Sequence, residues 1–146
     1  MDRHEAREFV LGLLYQRELT DDDNAETALQ EADLGEQRSF AESLYRGVRQ
    51  RLSELDRLLS TRTHGWRYER LSIVDRNILR LAAFELLFLD EIPAEVAIDE
   101  AVELCKSYGT DRSPTFVNGI LDRLWKEQNA RDGDEDPPSG DVPSTP

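Results

Sequence analysis

The segment LSIVDRNILRLAAFELLFLDEIP, residues 71–93, most constrains how this chain can fold. From Ile73 to Leu89, apolar residues occur on nearly every side of a helix, and such a helix has to be buried by other elements. Ser72, with Asp75 three residues later, resembles a capping box at its start, and Pro93 is expected to stop it. The segment therefore predicts a central helix with other helices packed around it.

Amphipathic helical patterns lie on both sides of this central segment. Ser113 and Pro114 suit the N-cap and the first position of the last helix. Because no strand-like alternation interrupts these patterns, the predicted fold class is all-α, a compact helical bundle of two small subdomains. Five further helices are predicted, over about residues 3–20, 25–32, 36–60, 96–108 and 113–128.

The 146 residues suffice for one domain, predicted over residues 1–128 with helical halves of about 1–62 and 63–128. The remaining NARDGDEDPPSGDVPSTP has too few apolar residues to order itself, which predicts a disordered acidic tail over 129–146. No apolar run approaches the roughly 18 residues of a membrane span, and no signal peptide is evident. With Cys105 as the lone cysteine, a reduced, cytoplasmic setting is expected.

The charge of the chain is unevenly distributed. Its net charge is −13, yet residues 38–80 contain ten arginines and five acids, a net charge of +5. A polyanion responds to the local potential, because screening limits charge interactions to about 8 Å at physiological salt. This basic band is therefore compatible with nucleic-acid binding; the alternative is that its arginines are solvated and form i,i+4 pairs along helices.

No catalytic or metal-binding pattern stands out. His4 and His64 lie far apart, and neither has a histidine or cysteine three or four residues away. The glycines are isolated rather than grouped in a phosphate-binding loop, and Cys105 lies on the predicted apolar side of its helix. The chain is therefore expected to bind rather than to catalyse: not an enzyme, with no cofactor and no metal.

Two parts of the sequence resemble the NusB family. LSIVDRNILRLAAFELLFLDEIPAEVAIDEAVELCKSYG, followed by FVNGILD, is similar to the C-terminal half of that family, and AREFVLGLLYQREL is similar to its first helix. The resemblance covers about residues 3–125. It implies two helical subdomains and a transcription antitermination factor. Such a factor pairs with the ribosomal protein NusE, binds the boxA segment of nascent ribosomal RNA, and joins the RNA polymerase elongation complex with other Nus factors.

The resemblance also implies RNA contacts at the start of the first helix, where Arg3, His4 and Arg7 match and Glu5 replaces an expected arginine. BoxA is single-stranded, so phosphate contacts and stacking surfaces are expected. Two arginines would neutralise about two phosphates, too few for tight binding. We therefore expect further RNA contacts from other residues. These candidates are Arg67 and Arg70 beside Trp66 and Tyr68, Arg112 in place of an acidic family residue, and Phe116. For Phe116, core packing is the alternative.

For the protein partner, the matching family positions are Tyr15 and Asp75. Tyr15 continues a stripe of Arg3, Arg7 and Leu11 at steps of four residues, expected to be distinct from the core face. An aromatic residue with a polar tip suits an interface. The alternatives are a half-buried surface tyrosine at position 15 and a simple helix cap at position 75.

Two other functions stay open at this point. The same fold occurs as the N-terminal module of some ribosomal RNA cytosine methyltransferases, so the chain could be an RNA-targeting module acting in trans. The chain ends without a methyltransferase domain, which favours a free-standing factor. It could also be a purely protein-binding helical adaptor whose acidity repels RNA. No membrane partner is expected, and a homodimer of the free protein is left open.

Overall fold

The computed structural model describes residues 1–21, 24–63 and 67–135, with side chains described through Ala130. Over these residues the chain forms helices and no strand, which confirms the predicted all-α class. Two short 3-10 helices, Gly35–Gln37 and Tyr68–Arg70, accompany the longer elements. The α-helices are α1 (Arg3–Thr20), α2 (Ala25–Glu31), α3 (Arg38–Gln50), α4 (Leu52–Ser60), α5 (Ile73–Phe88), α6 (Ala94–Tyr108) and α7 (Ser113–Glu135).

Helix α5 is the centre of the fold, as its sequence predicts. Ten of its 16 residues are buried, and α1, α3, α4, α6 and α7 all pack against it. Helix α1 runs antiparallel to α5, because Arg7 contacts Glu85 near the end of α5 whereas Glu18 contacts Asn77 near its start. This arrangement places the first turn of α1 beside the C-terminal half of the central helix.

The two predicted halves share one hydrophobic core. Buried residues from α1, α3 and α4 belong to the same cluster as those from α5, α6 and α7. The predicted division near residue 62 falls between α4 and α5, while α1 packs against both α3 and α5. None of the described helices is long and apolar enough to cross a membrane.

Three predicted boundaries differ from the structure. The single helix predicted over 36–60 is two helices broken at Arg51, because the apolar spacing continues unchanged across the break and hides it. Helix α5 ends at Phe88, and Pro93 is the N-cap of α6 rather than the residue that stops α5. Helix α7 continues to Glu135, beyond the predicted boundary at 128, and residues 136–146 of the predicted tail lie outside the described residues.

Candidate nucleic-acid interface

The start of α1 is fixed by a capping box. The Asp2 side chain accepts a hydrogen bond from the backbone N–H of Glu5 at 2.8 Å, and Glu5 Oε1 accepts one from the backbone N–H of Asp2 at 2.9 Å. Glu5 stands where the family pattern has an arginine, so this departure exchanges a positive charge for a helix cap. The cap fixes the backbone that carries Arg3, His4 and Arg7.

Arg3 is the exposed member of these three residues. Its guanidinium carbon lies 4.2 Å from the centroid of the Phe40 ring at the start of α3, and its Nε donates a hydrogen bond to Gln37 Oε1 at 3.4 Å. A cation held over an aromatic face gains electrostatic attraction and loses freedom of orientation. Arg3 therefore presents a held positive charge to solvent at the junction of α1 and α3.

Arg7 is buried, with 3% of its surface exposed. Its Nε and Nη2 donate to the two carboxylate oxygens of Glu85, at 2.9 and 2.7 Å, and its Nη1 lies 3.5 Å from Glu100 Oε1. We expected Arg7 to contact RNA directly. That contact stays a prediction; in this structure the enclosed, paired guanidinium is not open to a phosphate. Arg7 instead holds α1 against α5.

The carboxylate that receives Arg7 is itself deeply buried. Burial raises the pKa of Glu85, whereas the hydrogen bonds and charge of Arg7 act in the opposite direction. An ion pair of this kind is tolerated in a core only when both charges are paired, and removing one partner leaves an uncompensated buried charge. The two residues therefore depend on each other.

His4 faces two acidic side chains and is half-buried. Its Nδ1 lies 2.7 Å from Glu100 Oε1, and its Nε2 lies 3.7 Å from Glu8 Oε2. The hydrogen bond to Glu100 raises the pKa of His4, and the nearby carboxylates add to this effect. A protonated His4 thus has carboxylate partners within the protein, which leaves Arg3 as the most accessible cation of the predicted trio.

The other candidate RNA residues lie around the start of α5. Arg76 Nη1 donates to the backbone oxygen of Glu69, which holds the 67–70 segment against the start of α5. The Ser113 hydroxyl donates to Asp75, which brings the start of α7 to the same end. From Asp75 to Glu85, α5 rises about 15 Å. Arg67, Arg70, Arg112 and Phe116 lie near the start of α5, whereas the Tyr108 hydroxyl at the end of α6 donates to Glu8 of α1 at 2.8 Å. That these residues share an RNA site with Arg3 stays a prediction.

The candidate side chains around the start of α5 differ in their exposure to solvent. Arg70 and Arg112 are exposed, while the exposed Arg67 is paired with Glu69 at 2.7 Å. Phe116 is partly buried against the core, which agrees with the packing alternative. Tyr68 is buried and its hydroxyl donates to Asp56 at 2.6 Å, so it does not offer the open stacking ring that the sequence suggests. Trp66 lies outside the described residues. The RNA roles of the three arginines stay predictions.

The predicted partner residues Tyr15 and Asp75 lie near the junction of the end of α1 with the start of α5. Glu18, one turn after Tyr15, accepts hydrogen bonds from Arg76 and Asn77, which follow Asp75 directly. Tyr15 is half-buried. Its stripe was expected to be distinct from the core face, but Leu11 of the same stripe is buried in the core.

Asp75 does more than cap its helix. Ser72 accepts a hydrogen bond from the backbone N–H of Asp75, but the Asp75 side chain does not complete the capping box. Its Oδ2 accepts from the Ser113 hydroxyl at 3.1 Å, and its buried Oδ1 has no hydrogen-bond partner among the described residues. Asp75 therefore links α5 to the start of α7 inside the protein.

Three residues that shape this site are not among the sequence-predicted candidates: Phe40, Glu85 and Glu100. Phe40 is buried in the core, and its ring also supports Arg3. The signal for Glu85 was present, since an acid within the apolar run LAAFELLF requires a buried cation, and Arg7 lies beside the apolar stripe of α1. Nothing in the sequence pairs Glu100 with His4 in advance.

The described residues contain no cluster of histidine, cysteine and acidic side chains suited to a metal ion. Cys105 is fully buried, and burial raises its pKa to about 12, so it is a packing residue as predicted. The fold and the site together define the class as a small all-helical binding protein that presents a cation at the start of its first helix.

Comparison with known proteins makes the assignment specific. The model of the NusB family matches residues 4–126. The chain is 43% identical over 129 residues to the transcription antitermination protein NusB of a Nitratiruptor species, covering 86% of this chain and 92% of that protein. A similar protein from Thermotoga maritima is 57% identical over 82 residues, covering 56% of this chain and 58% of that protein. The chain therefore belongs to the NusB family of transcription antitermination proteins.

Solved structures agree with this family. A crystal form of Thermotoga maritima NusB superposes with a TM-score of 0.80 at 44% identity, covering 87% of this chain and 92% of that one. The NusB chain in a complex of antitermination factors NusB and NusE with double-stranded RNA gives a TM-score of 0.74 at 25% identity, covering 87% of this chain and 99% of that one. This complex shows what a relative binds.

Proposed function

We propose that this chain is a transcription antitermination factor of the cytoplasm. It binds boxA-type single-stranded RNA of nascent ribosomal transcripts together with ribosomal protein NusE, and joins the RNA polymerase elongation complex with other Nus factors. The observation that carries this proposal is the match over residues 4–126 to a family with a relative solved in complex with NusE and RNA.

The geometry of α1 supports separate roles for its basic residues. Arg3 is exposed and held over Phe40, so it is the residue we assign to a phosphate. His4 supports it when protonated, although Glu100 and Glu8 compete for its charge. Arg7 acts as a positioning residue, because its bonds to Glu85 fix the first turn of α1 without exposing its own charge.

The junction between α1 and α5 is the part we assign to NusE, through Tyr15 and Asp75. One helix then carries an RNA contact at its start and a protein contact nearer its end. Arg112 is exposed beside Ser113, whose hydroxyl binds Asp75, so it lies close to the assigned protein surface.

A weak intrinsic RNA affinity follows from the charge of the site. Each phosphate contact adds an electrostatic contribution to the RNA affinity, and this contribution decreases as the salt concentration rises. One or two such contacts leave a single strand weakly bound at physiological ionic strength. The net charge of −13 adds long-range repulsion. NusE is therefore expected to supply part of the RNA-binding surface, so that the three components bind cooperatively.

The experiment that tests this function is a co-purification of the tagged full chain with purified NusE, with and without boxA RNA. An RNA of the same composition in scrambled order is the control. We expect NusE to be retained by the chain, and boxA RNA, but not the scrambled RNA, to increase its retention. Failure to retain NusE under both conditions would overturn the proposal.

A further inference from the structure

A groove between α3 and the end of α5 carries features that the proposed function has not used. It has a volume of about 520 Å³ and is open to solvent along one side. At its end near α4, the guanidinium carbon of Arg51 lies 4.0 Å from the centroid of the half-buried Phe88 ring. We call this feature the α3–α5 groove. It is lined by polar side chains of α3, among them Ser39, Ser43 and Gln50.

The groove depends on a glycine in the middle of α3. A Cβ atom added at Gly47 would lie 2.1 to 2.7 Å from three atoms of the Phe84 ring, closer than atoms can approach. Gly47 therefore allows α3 to lie directly against Phe84, whose ring centroid is 5.5 Å from that of Phe88. The result is an aromatic floor beneath a row of small polar side chains.

The cations of the groove are available to an anion. Arg46 and Arg51 line it, and Glu42 is the one acidic residue of its lining. Arg46 pairs with Glu26 at 2.6 Å and with Glu42 at 3.4 Å, and Arg51 pairs with Glu54 at 3.3 Å, but both arginines are about half exposed. Exposed ion pairs contribute little to stability, because water screens them, so a phosphate can replace a carboxylate there without a large penalty.

The α3–α5 groove continues the surface that begins at Arg3. Phe40, which supports Arg3, precedes Gly47 by seven residues, two helical turns on the same face of α3 and about 10 Å along its axis. An arginine thus lies over a phenylalanine at each end of α3, Arg3 over Phe40 and Arg51 over Phe88. A few nucleotides of an extended strand span this distance.

From this arrangement we infer that the α3–α5 groove is a nucleobase-binding subsite for the single-stranded RNA whose backbone contacts Arg3. A base stacks on the outer face of the Arg51 guanidinium, which lies over the Phe88 ring, and Arg46 binds an adjacent phosphate. Bases stack on aromatic rings and on arginine planes, and such stacking tolerates any base. This inference rests on the proposed function, because it extends the same strand along α3.

The test is a titration, with NusE present, of fluorescein-labelled single-stranded RNA that contains boxA. The RNA is about 12 nucleotides long, within the range of single-strand sites, and binding is followed by anisotropy. Phe88→Leu keeps apolar volume and removes the ring, while Arg51→Lys keeps the charge and removes the planar group. Arg57→Lys, at an exposed position of α4 outside the groove, is the matched control. Arg3→Ala reports on the primary contact.

We expect Phe88→Leu to weaken binding about fivefold or more, because the Arg51 guanidinium loses the ring that holds it for stacking, with an unchanged salt dependence because no charge is removed. Arg51→Lys weakens binding and Arg57→Lys does not. Should Phe88→Leu lower thermal stability, the exposed Arg51→Lys decides the question alone. If both groove variants bind RNA with wild-type affinity while Arg3→Ala binds it more weakly, only the subsite is overturned. If the wild-type chain binds no RNA with NusE present, the proposed function is overturned too.

Discussion

Arg7 donates two hydrogen bonds to Glu85, from Nε to Oε2 at 2.9 Å and from Nη2 to Oε1 at 2.7 Å, and so joins α1 to the central helix. Both side chains are at most 3% exposed. Arg3 lies one turn before Arg7, so the position of the exposed cation depends on this buried pair. Structure and RNA binding are therefore coupled through the first two turns of α1.

Breaking this pair on one side should strongly destabilise the protein. Arg7→Met leaves the Glu85 carboxylate buried without its cation, and we expect the free energy of unfolding to fall by about 3–5 kcal/mol. Replacing both residues, as Arg7→Met with Glu85→Leu, removes both buried charges and should recover much of that loss. Urea denaturation of the single and double variants measures the coupling.

The control for this series is Arg67→Ala, which removes an exposed ion pair with Glu69 and should leave the free energy of unfolding almost unchanged. If Arg7→Met and Glu85→Leu were simply additive in the double variant, the two side chains would not be coupled. The positioning role assigned to Arg7 would then be lost.

Two glycines should respond in opposite directions to alanine. Gly47→Ala places a methyl group into the Phe84 ring, and we expect a destabilisation of about 1–3 kcal/mol. Gly12→Ala, on the exposed side of α1, meets no atom within 4 Å and should stabilise the helix by about 0.5–1 kcal/mol. Thermal unfolding of both variants compares them, and a Gly47→Ala protein as stable as the wild type would show that α3 does not lie this close to Phe84.

The stability of the protein should depend on pH through His4. The pKa of His4 is raised in the folded state, chiefly by its hydrogen bond to Glu100, so folding favours the protonated ring. This contribution is fully present below the unfolded pKa of about 6.5 and is lost as pH rises through the higher folded pKa. The stability difference between wild type and His4→Gln should therefore be larger at about pH 5.5 than at about pH 8.5. An equal difference at both values would contradict this.

Tyr15→Asp should abolish co-purification with NusE and leave the helical circular dichroism spectrum intact, because Tyr15 is only half-buried. Gln16→Asp adds the same charge at the neighbouring exposed position and is the matched control. If Tyr15→Asp lost helical structure as well, Tyr15 would be a core residue. Retained NusE binding in a folded variant would remove Tyr15 from the interface.

Much of the fold could be predicted because hydrophobic periodicity reports burial directly. The all-round apolar pattern of α5 predicts its central place, and the start of α1 and the end of α6 at Tyr108 follow from local signals. The break at Arg51 could not be predicted, since Val48, Leu52 and Leu55 keep helical spacing across it. Boundaries set by tertiary packing leave no mark in such a pattern.

The candidate site was less predictable, because the partner of a charged side chain is set by tertiary structure. Sequence spacing places Arg3 and Arg7 on one helix. It does not show that Glu85, 78 residues from Arg7, accepts the hydrogen bonds of the Arg7 guanidinium. The same limit applies to Arg67, Arg70 and Arg112, because sequence spacing does not show which of them lie on one surface with Arg3. Charge counts predict the presence of a basic surface and not its shape.

The most direct test of the account is the salt dependence of boxA RNA binding by wild type and Arg3→Ala, with NusE present. We expect Arg3→Ala to weaken binding and to reduce the slope of log K against log salt by about one, with Arg57→Ala as the exposed control that changes neither. Equal affinity and equal slope for wild type and Arg3→Ala would contradict the claim that this protein holds RNA through the cation at the start of α1.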